Sequence, residues 1–323
     1  MAETGNLLSF RKSIRLVDAT MRDGGLVNNF EFTDEFVKAL YAANVAAGVD
    51  FMEFGYKADK DIFPEDKFGK WKFCKEDDIF AVVGENKTNL KIACMADEGR
   101  TNCLRDIGEK ANSPVDMYRS ATYINAIPSA IEMIEHCHKM GYLTSCNVMA
   151  VSTATEKEID IALDMIGRSC VDGIYIVDSY GSYYPEQMRV LADKYLEYGE
   201  KYGKFIGIHA HNNQNLAFAN SIECVARGVD YVDATVSSMG RGAGNCALEL
   251  MLGFLKNPSY KLLPVLKFIE RQILPLKEQG VVWGYDVQYM LTGMLNRHPR
   301  AAIDFTAKKR TDYADFFNEL MER

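Results

Sequence analysis

A chain of 323 residues, 48% of them hydrophobic and 25% charged, carries enough apolar material for a full core, and its length fits one large domain or two ordinary ones. The net charge of −8 excludes a nucleic-acid surface, because phosphate binding needs a basic patch and the only cluster, "AKKR" at 307–310, reads as a solvated helix end. No run reaches the roughly 18 apolar residues of a membrane helix, and the first residues lack a signal-length apolar stretch, so the expectation is a cytoplasmic protein that meets no membrane.

Short stretches rich in Val, Ile, Phe and Tyr recur along the chain and predict strands at 14–20, 50–56, 90–96, 116–123, 143–150, 173–179, 205–211 and 231–237. Amphipathic segments lie between them. The first, "TDEFVKALYAANVAAG", starts at Thr33 as a hydroxyl N-cap with Asp34 and Glu35 in its first turn. "EKEIDIALDMIGRS", "PEQMRVLADKYLEYGEKYG" and "NLAFANSIECVARG" repeat the pattern. A "FPEDKFGKWKFCKEDD" insertion after the second strand, within 57–78 and containing Trp71, reads as a lid or an oligomer contact. Beyond residue 258 the pattern is helical with no further strand.

Eight strands alternating with helices define parallel βαβ units that close most readily into a TIM (β/α)8 barrel. An open doubly wound sheet is disfavoured, since no GxGxxG follows the first strand. The expected organisation is a barrel over 1–257 and a C-terminal helical region over 258–323. Eight cysteines without CxxC spacing read as reduced, mostly structural residues.

In such a barrel the chemistry sits at the C-terminal strand ends. The first strand ends in Arg22 and Asp23, the second carries Glu53, the sixth ends at Asp178, and the seventh supplies "HAH", His209 and His211. Side chains two apart on a strand project to the same side, so both imidazoles enter one space. "HCH", His136 and His138, lies in a helical segment where residues two apart diverge by some 200°, and His298 before a proline reads as a surface or packing residue. Asp23 can complete a two-nitrogen, one-oxygen site open to substrate, with Asn245 of "GRGAGN" as a fourth, oxygen ligand. Taken singly, each feature has a plainer reading: Glu53 as a partner of Arg22, Asp178 as a loop cap, Asp23 as a turn residue before Gly24 and Gly25.

"DATMRDGG", "GIHAHNN" and "GRGAGN" together resemble the DRE-TIM metallolyase superfamily, whose members are similar to hydroxymethylglutaryl-CoA lyase. Within it the likeness is nearest to the 4-hydroxy-2-oxovalerate aldolases and extends to "GYDVQYM". The resemblance implies a divalent cation, Mn2+ ahead of Mg2+ or Zn2+, on Asp23, His209 and His211 with Asn245 joining or supporting it. It further implies Arg22 as the stabiliser of an enolate oxygen, Tyr285 as proton donor to the enolate, and Asp178 as a residue that orients Arg22 or metal-bound water. The implied reaction is cleavage or formation of a C–C bond next to a 2-oxo acid, through pyruvate enolate chemistry. Its alternatives are an acyl-CoA-dependent lyase or condensing enzyme, and a non-catalytic metal- and ligand-binding barrel subunit. An aldehyde dehydrogenase partner and a homo-oligomer are further expectations. One position departs: where the aldolases place a histidine base this chain has Leu26, leaving Asn28, Asn29, Tyr56 or a metal-bound water. The catalytic cysteine of the lyases is not carried over to Cys246.

Overall fold

The computed structural model describes residue 11 and residues 13–322. The N-terminal stretch read for a leader, residues 1–10 and 12, lies outside them. The strands are β1 (Arg15–Asp18), β2 (Phe51–Tyr56), β3 (Lys91–Asp97), β4 (Met117–Tyr123), β5 (Leu143–Met149), β6 (Gly173–Asp178), β7 (Phe205–Ala210) and β8 (Tyr231–Ala234). They pair in chain order, all parallel, and β1 pairs with β8 to close a TIM barrel. The predicted strands are all present; β1 and β8 stop short of their predicted ends, at Asp18 and Ala234.

Local chemistry fixes the helices between them. Thr33 accepts a hydrogen bond from the Phe36 amide at 3.2 Å to cap Asp34–Ala47, and Gly48 ends that helix at φ 76°, a left-handed conformation that costs glycine nothing. Thr155 and Glu158 form a reciprocal capping box on Glu156–Arg168. Pro185 opens Pro185–Tyr202, which Gly203 terminates.

The barrel interior is layered. At the N-terminal end Val17, Phe51, Ala93 and Met117 form an apolar plug. Two residues further along β2, β4 and β8, the inward positions are Glu53, Arg119 and Asp233, all buried. Above this ionic layer lies the mouth.

The insertion after β2 divides in two. Ile62 is half exposed, but Trp71 is fully buried with its ring centroid 5.5 Å from that of Phe54, so this tryptophan is a core residue and not part of a lid surface. Its carbonyl approaches so closely that a Cβ on Gly55 would lie 1.9 Å from it. Beyond the barrel, the helix Leu263–Phe268 lies against Asp34–Ala47 with Phe268 and Phe36 rings 5.1 Å apart, and its apolar residues join the barrel's outer core. The last three helices, Val287–Met294, Arg300–Ala307 and Tyr313–Met321, share a small core of Leu291, Ala302, Phe305, Phe316 and Leu320.

Truncating Trp71 to alanine deletes a fully buried indole and should cost about 3–5 kcal/mol. Urea unfolding should show the loss as a lower midpoint, whereas a tryptophan serving only as a surface contact would leave the midpoint in place.

Candidate metal centre and active site

The residues after β1 do not extend the strand, as the sequence suggested; Thr20–Gly24 is a short helical turn that brings Arg22 and Asp23 over the barrel mouth. Asp18 builds that turn. Its carboxylate accepts hydrogen bonds from the Thr20 hydroxyl, from the Thr20 amide at 2.9 Å and from Asn44 Nδ2, while Thr20 Oγ1 accepts from the Val236 amide. Burial pushes the Asp18 carboxyl up to about 6. The paired glycines follow because there is no room for side chains: a Cβ on Gly25 would stand 2.2 Å from the Phe30 ring, and one on Gly24 2.9 Å from Met239.

Asp23, His209 and His211 converge, each offering one ligand atom within 4.8 Å of the others, all buried. His209 Nε2 lies 3.0 Å from Asp23 Oδ2, and His211 Nε2 lies 3.5 Å from the same oxygen. Both rings are held from behind through Nδ1, His209 by Asp233 Oδ2 at 2.9 Å and His211 by the Asp178 carbonyl at 3.0 Å. That arrangement fixes the ring orientation and turns both Nε2 atoms toward Asp23. Burial works against the charge on Asp23, but Arg22 and the two histidines hold its pKa well below the usual carboxylate range. For His209, burial and Arg22 oppose protonation, yet its bonds to Asp23 and Asp233 prevail and its pKa is raised; burial lowers that of His211.

The donor set fits a divalent cation. Asp23 Oδ1 is buried without a hydrogen-bond partner, so one of the triad's carboxylate oxygens has unused acceptor capacity. In the surrounding layer two guanidinium groups, Arg22 and Arg119, face three carboxylates, Asp23, Glu53 and Asp233. A divalent cation on the triad would offset the excess negative charge. Asn245 points its amide nitrogen at the triad, donating to Asp23 Oδ2 at 2.8 Å, so in this rotamer it supports the carboxylate. The loop reaches that position through a backbone bridge between His211 and Asn245.

Arg22 is clamped by Glu53 Oε2 at 2.8 Å and Asp23 Oδ2 at 3.1 Å. The same Glu53 oxygen accepts from Arg119 at 3.0 Å, and Arg119 donates to Asp233 at 2.6 Å beneath the Tyr175 ring. Glu53 is therefore a fully buried partner of two arginines and does not line the cavity. Asp178 accepts from the Ser182 amide at 3.0 Å as a loop cap, and burial raises its pKa to about 7. Tyr285 is 51% exposed and does not line the cavity either, although its neighbour Gly284 donates to the Gly242 carbonyl in the loop beside the mouth. His136 and His138 lie on the helix Ile127–Lys139, the first on the Ile107 carbonyl and the second exposed, while His298 is half buried against the Tyr180 ring.

A cavity of about 80 Å3 opens over the triad. Its walls are Arg22, Leu26, Tyr56, Met95, Asp97, Ala121, Asn147, Met149, Val177, Ser179 and Arg241 with the three triad residues. Sequence reasoning missed Arg119, Asp233, Asp97 and Arg241. The first three carried a usable signal, since each is a charged residue at an inward strand position. Arg241 had none, because its place depends on the fold of the glycine-rich loop.

Fold and site together define a (β/α)8 barrel with a candidate divalent-cation centre and a paired arginine at the C-terminal strand ends. The profile of the HMGL-like family matches residues 13–261, and the chain belongs to that family. Among curated relatives, a 4-hydroxy-2-oxovalerate aldolase from Thermus thermophilus is 30% identical over 284 residues, 83% of this chain and 78% of the relative. One of the same name from Bacillus thuringiensis is 26% identical over 325 residues, 97% of this chain and 91% of the relative. Among solved structures, the N-terminal domain of a candidate aldolase from Bacteroides vulgatus superposes with a TM-score of 0.79 at 28% identity, covering 91% of this chain and 96% of that one.

Two outcomes are expected. Arg119→Met leaves Glu53 and Asp233 without their shared cation and should destabilise the protein by about 3–5 kcal/mol, seen as a lower urea midpoint. Mn2+ at about 100 times its dissociation constant should stabilise the wild type by about 2.7 kcal/mol and leave Asp23→Ala unmoved, measured by thermal unfolding with and without chelator.

Proposed function

We propose that this protein is a divalent-metal-dependent aldolase that cleaves or forms the C–C bond of a 4-hydroxy-2-oxo acid, with pyruvate as the enolate partner. The observation that carries the reading is the meeting of the Asp23, His209 and His211 triad with Arg22 in one cavity. Asp23, His209 and His211 would hold the cation, supported by Asn245, and Mn2+, Mg2+ and Zn2+ all suit such a set. When bound, the cation supplies Lewis-acid stabilisation of a carbonyl that gains negative charge.

The protein's own groups account for the rest of the site. Arg22 presents a fixed positive charge, its Nε and Nη1 engaged by Glu53 and Asp23, so little reorganisation is needed when an enolate oxygen develops beside it. Asp233 and the Asp178 carbonyl keep the two imidazoles in register. Met95, Ala121, Met149 and Val177 give the cavity an apolar wall that limits water around the reacting carbon. The aldolase names of the relatives agree with this chemistry.

The test is exchange of the pyruvate methyl protons in D2O, followed by NMR with Mn2+. Wild-type protein should wash out the signal, and chelator or His209→Ala should return the rate to background. Metal binding without exchange would sink the pyruvate reading and favour an acyl-CoA substrate or a non-catalytic barrel.

A further inference from the structure

The cavity needs a group that accepts the C4 hydroxyl proton, and Leu26 occupies the position where a histidine was expected. Asn28 bonds the Glu31 carbonyl and Asn29 is exposed; neither lines the cavity. Tyr56 does line it, but burial raises its phenol far above neutrality and it is no base near pH 7. Among the described residues, Asp97 is the only cavity-lining carboxylate apart from Asp23. It ends β3, two residues after Met95, and the strand alternation that turns His209 and His211 inward turns Met95 and Asp97 inward as well. Asp23, Glu53 and Asp233 are each fixed in ion pairs, whereas no hydrogen bond or ion pair engages the Asp97 carboxylate among the described residues.

We infer that Asp97 is the general base of this site, a reading that rests on the aldolase function proposed above. The C4 hydroxyl proton passes to the Asp97 carboxylate, and the O–H electron pair closes the aldehyde C=O. The C3–C4 bond breaks, its pair forms the C2=C3 double bond, and the C2 carbonyl π pair moves onto the C2 oxygen as the enolate. A proton from solvent adds at C3 to give pyruvate, and Asp97 returns its own proton to solvent, so the proton count closes. Pyruvate and an aldehyde thus account for every atom of the substrate.

The surroundings suit the role. Burial raises the Asp97 carboxyl, while Lys72, Arg100 and Arg22 pull it down and Glu53 pushes it up. Lys72 is the positioning residue: its ammonium is buried among the rings of Phe30, Tyr56, Phe63 and Phe68, with centroids 5.0, 4.2, 4.3 and 5.8 Å away. Burial lowers its pKa to about 8 against the opposing pull of Asp97. The aromatic cage holds the ammonium in place, and it acts on the carboxylate by charge, with no hydrogen bond or ion pair between Lys72 and Asp97 among the described residues.

The experiment compares two cleavages with Mn2+ present. Cleavage of 4-hydroxy-2-oxovalerate requires removal of a hydroxyl proton; decarboxylation of oxaloacetate gives the same enolate and requires none. In Asp97→Asn the ratio of the first rate to the second should fall at least about 100-fold, with partial recovery in Asp97→Glu. In Lys72→Met, loss of the ammonium raises the Asp97 pKa, so the acidic limb of kcat/KM for 4-hydroxy-2-oxovalerate moves to higher pH. Equal loss of both activities in Asp97→Asn, or loss of neither, overturns the assignment. Wild-type protein that binds metal but performs neither cleavage overturns the aldolase reading, and the assignment with it.

Discussion

The structure depends on one buried ionic layer. Arg119, with no exposed surface, bridges Glu53 of β2 and Asp233 of β8, and those two carboxylates hold Arg22 and His209 from below. Desolvating these charges is expensive, and the arrangement is stable only because each ion meets an opposite partner at hydrogen-bond distance. The cost is met inside a barrel whose parallel strands set the partners' spacing by register. The layer therefore couples the closure of the barrel to the placement of the reactive groups.

Above that layer, the polar groups separate into fixed and free. Asp23, Arg22, His209 and His211 are oriented by at least one partner each, as a metal centre requires. Asp97 has freedom of the kind a proton-transfer group needs, with a caged cation nearby. Fixed groups meet charge as it develops, and a free one moves a proton. Below the layer, Val17, Phe51, Ala93 and Met117 close the barrel with apolar contact, so the reactive end faces only the mouth.

Much of this was legible in the sequence. Strand and helix alternation gave the barrel, because apolar periodicity and cap residues such as Thr33 and Thr155 are local properties. The HxH pair was legible for the same reason, as the two-residue repeat of a strand puts both rings on one side. Glu53 was readable only as one of two alternatives, since its partner Arg22 lies 31 residues away. Trp71 was misread because an aromatic residue in a polar insertion looks like surface until the chain returns it against Phe54. Asp97 could have been found by the rule that found the histidines, yet a lone carboxylate at a strand end is also a common turn residue. Tyr285 was placed by resemblance, and the fold leaves it half exposed beside the mouth.

One tetrapeptide marks the boundary between what the two levels decide. Val-Asp-Ala-Thr occurs at 17–20 and again at 232–235. By itself the sequence determined that each copy belongs to a strand. In the closed barrel, however, Val17 lies beside Asp233 and Asp18 beside Ala234, a one-residue offset between the copies. Asp233 consequently faces inward to Arg119 and His209, while Asp18 faces the helix Asp34–Ala47 and bonds Asn44. A shift of one residue reverses the side of the sheet to which a side chain points. Local sequence determined the strands; only barrel closure decided which aspartate serves the site and which one holds the turn.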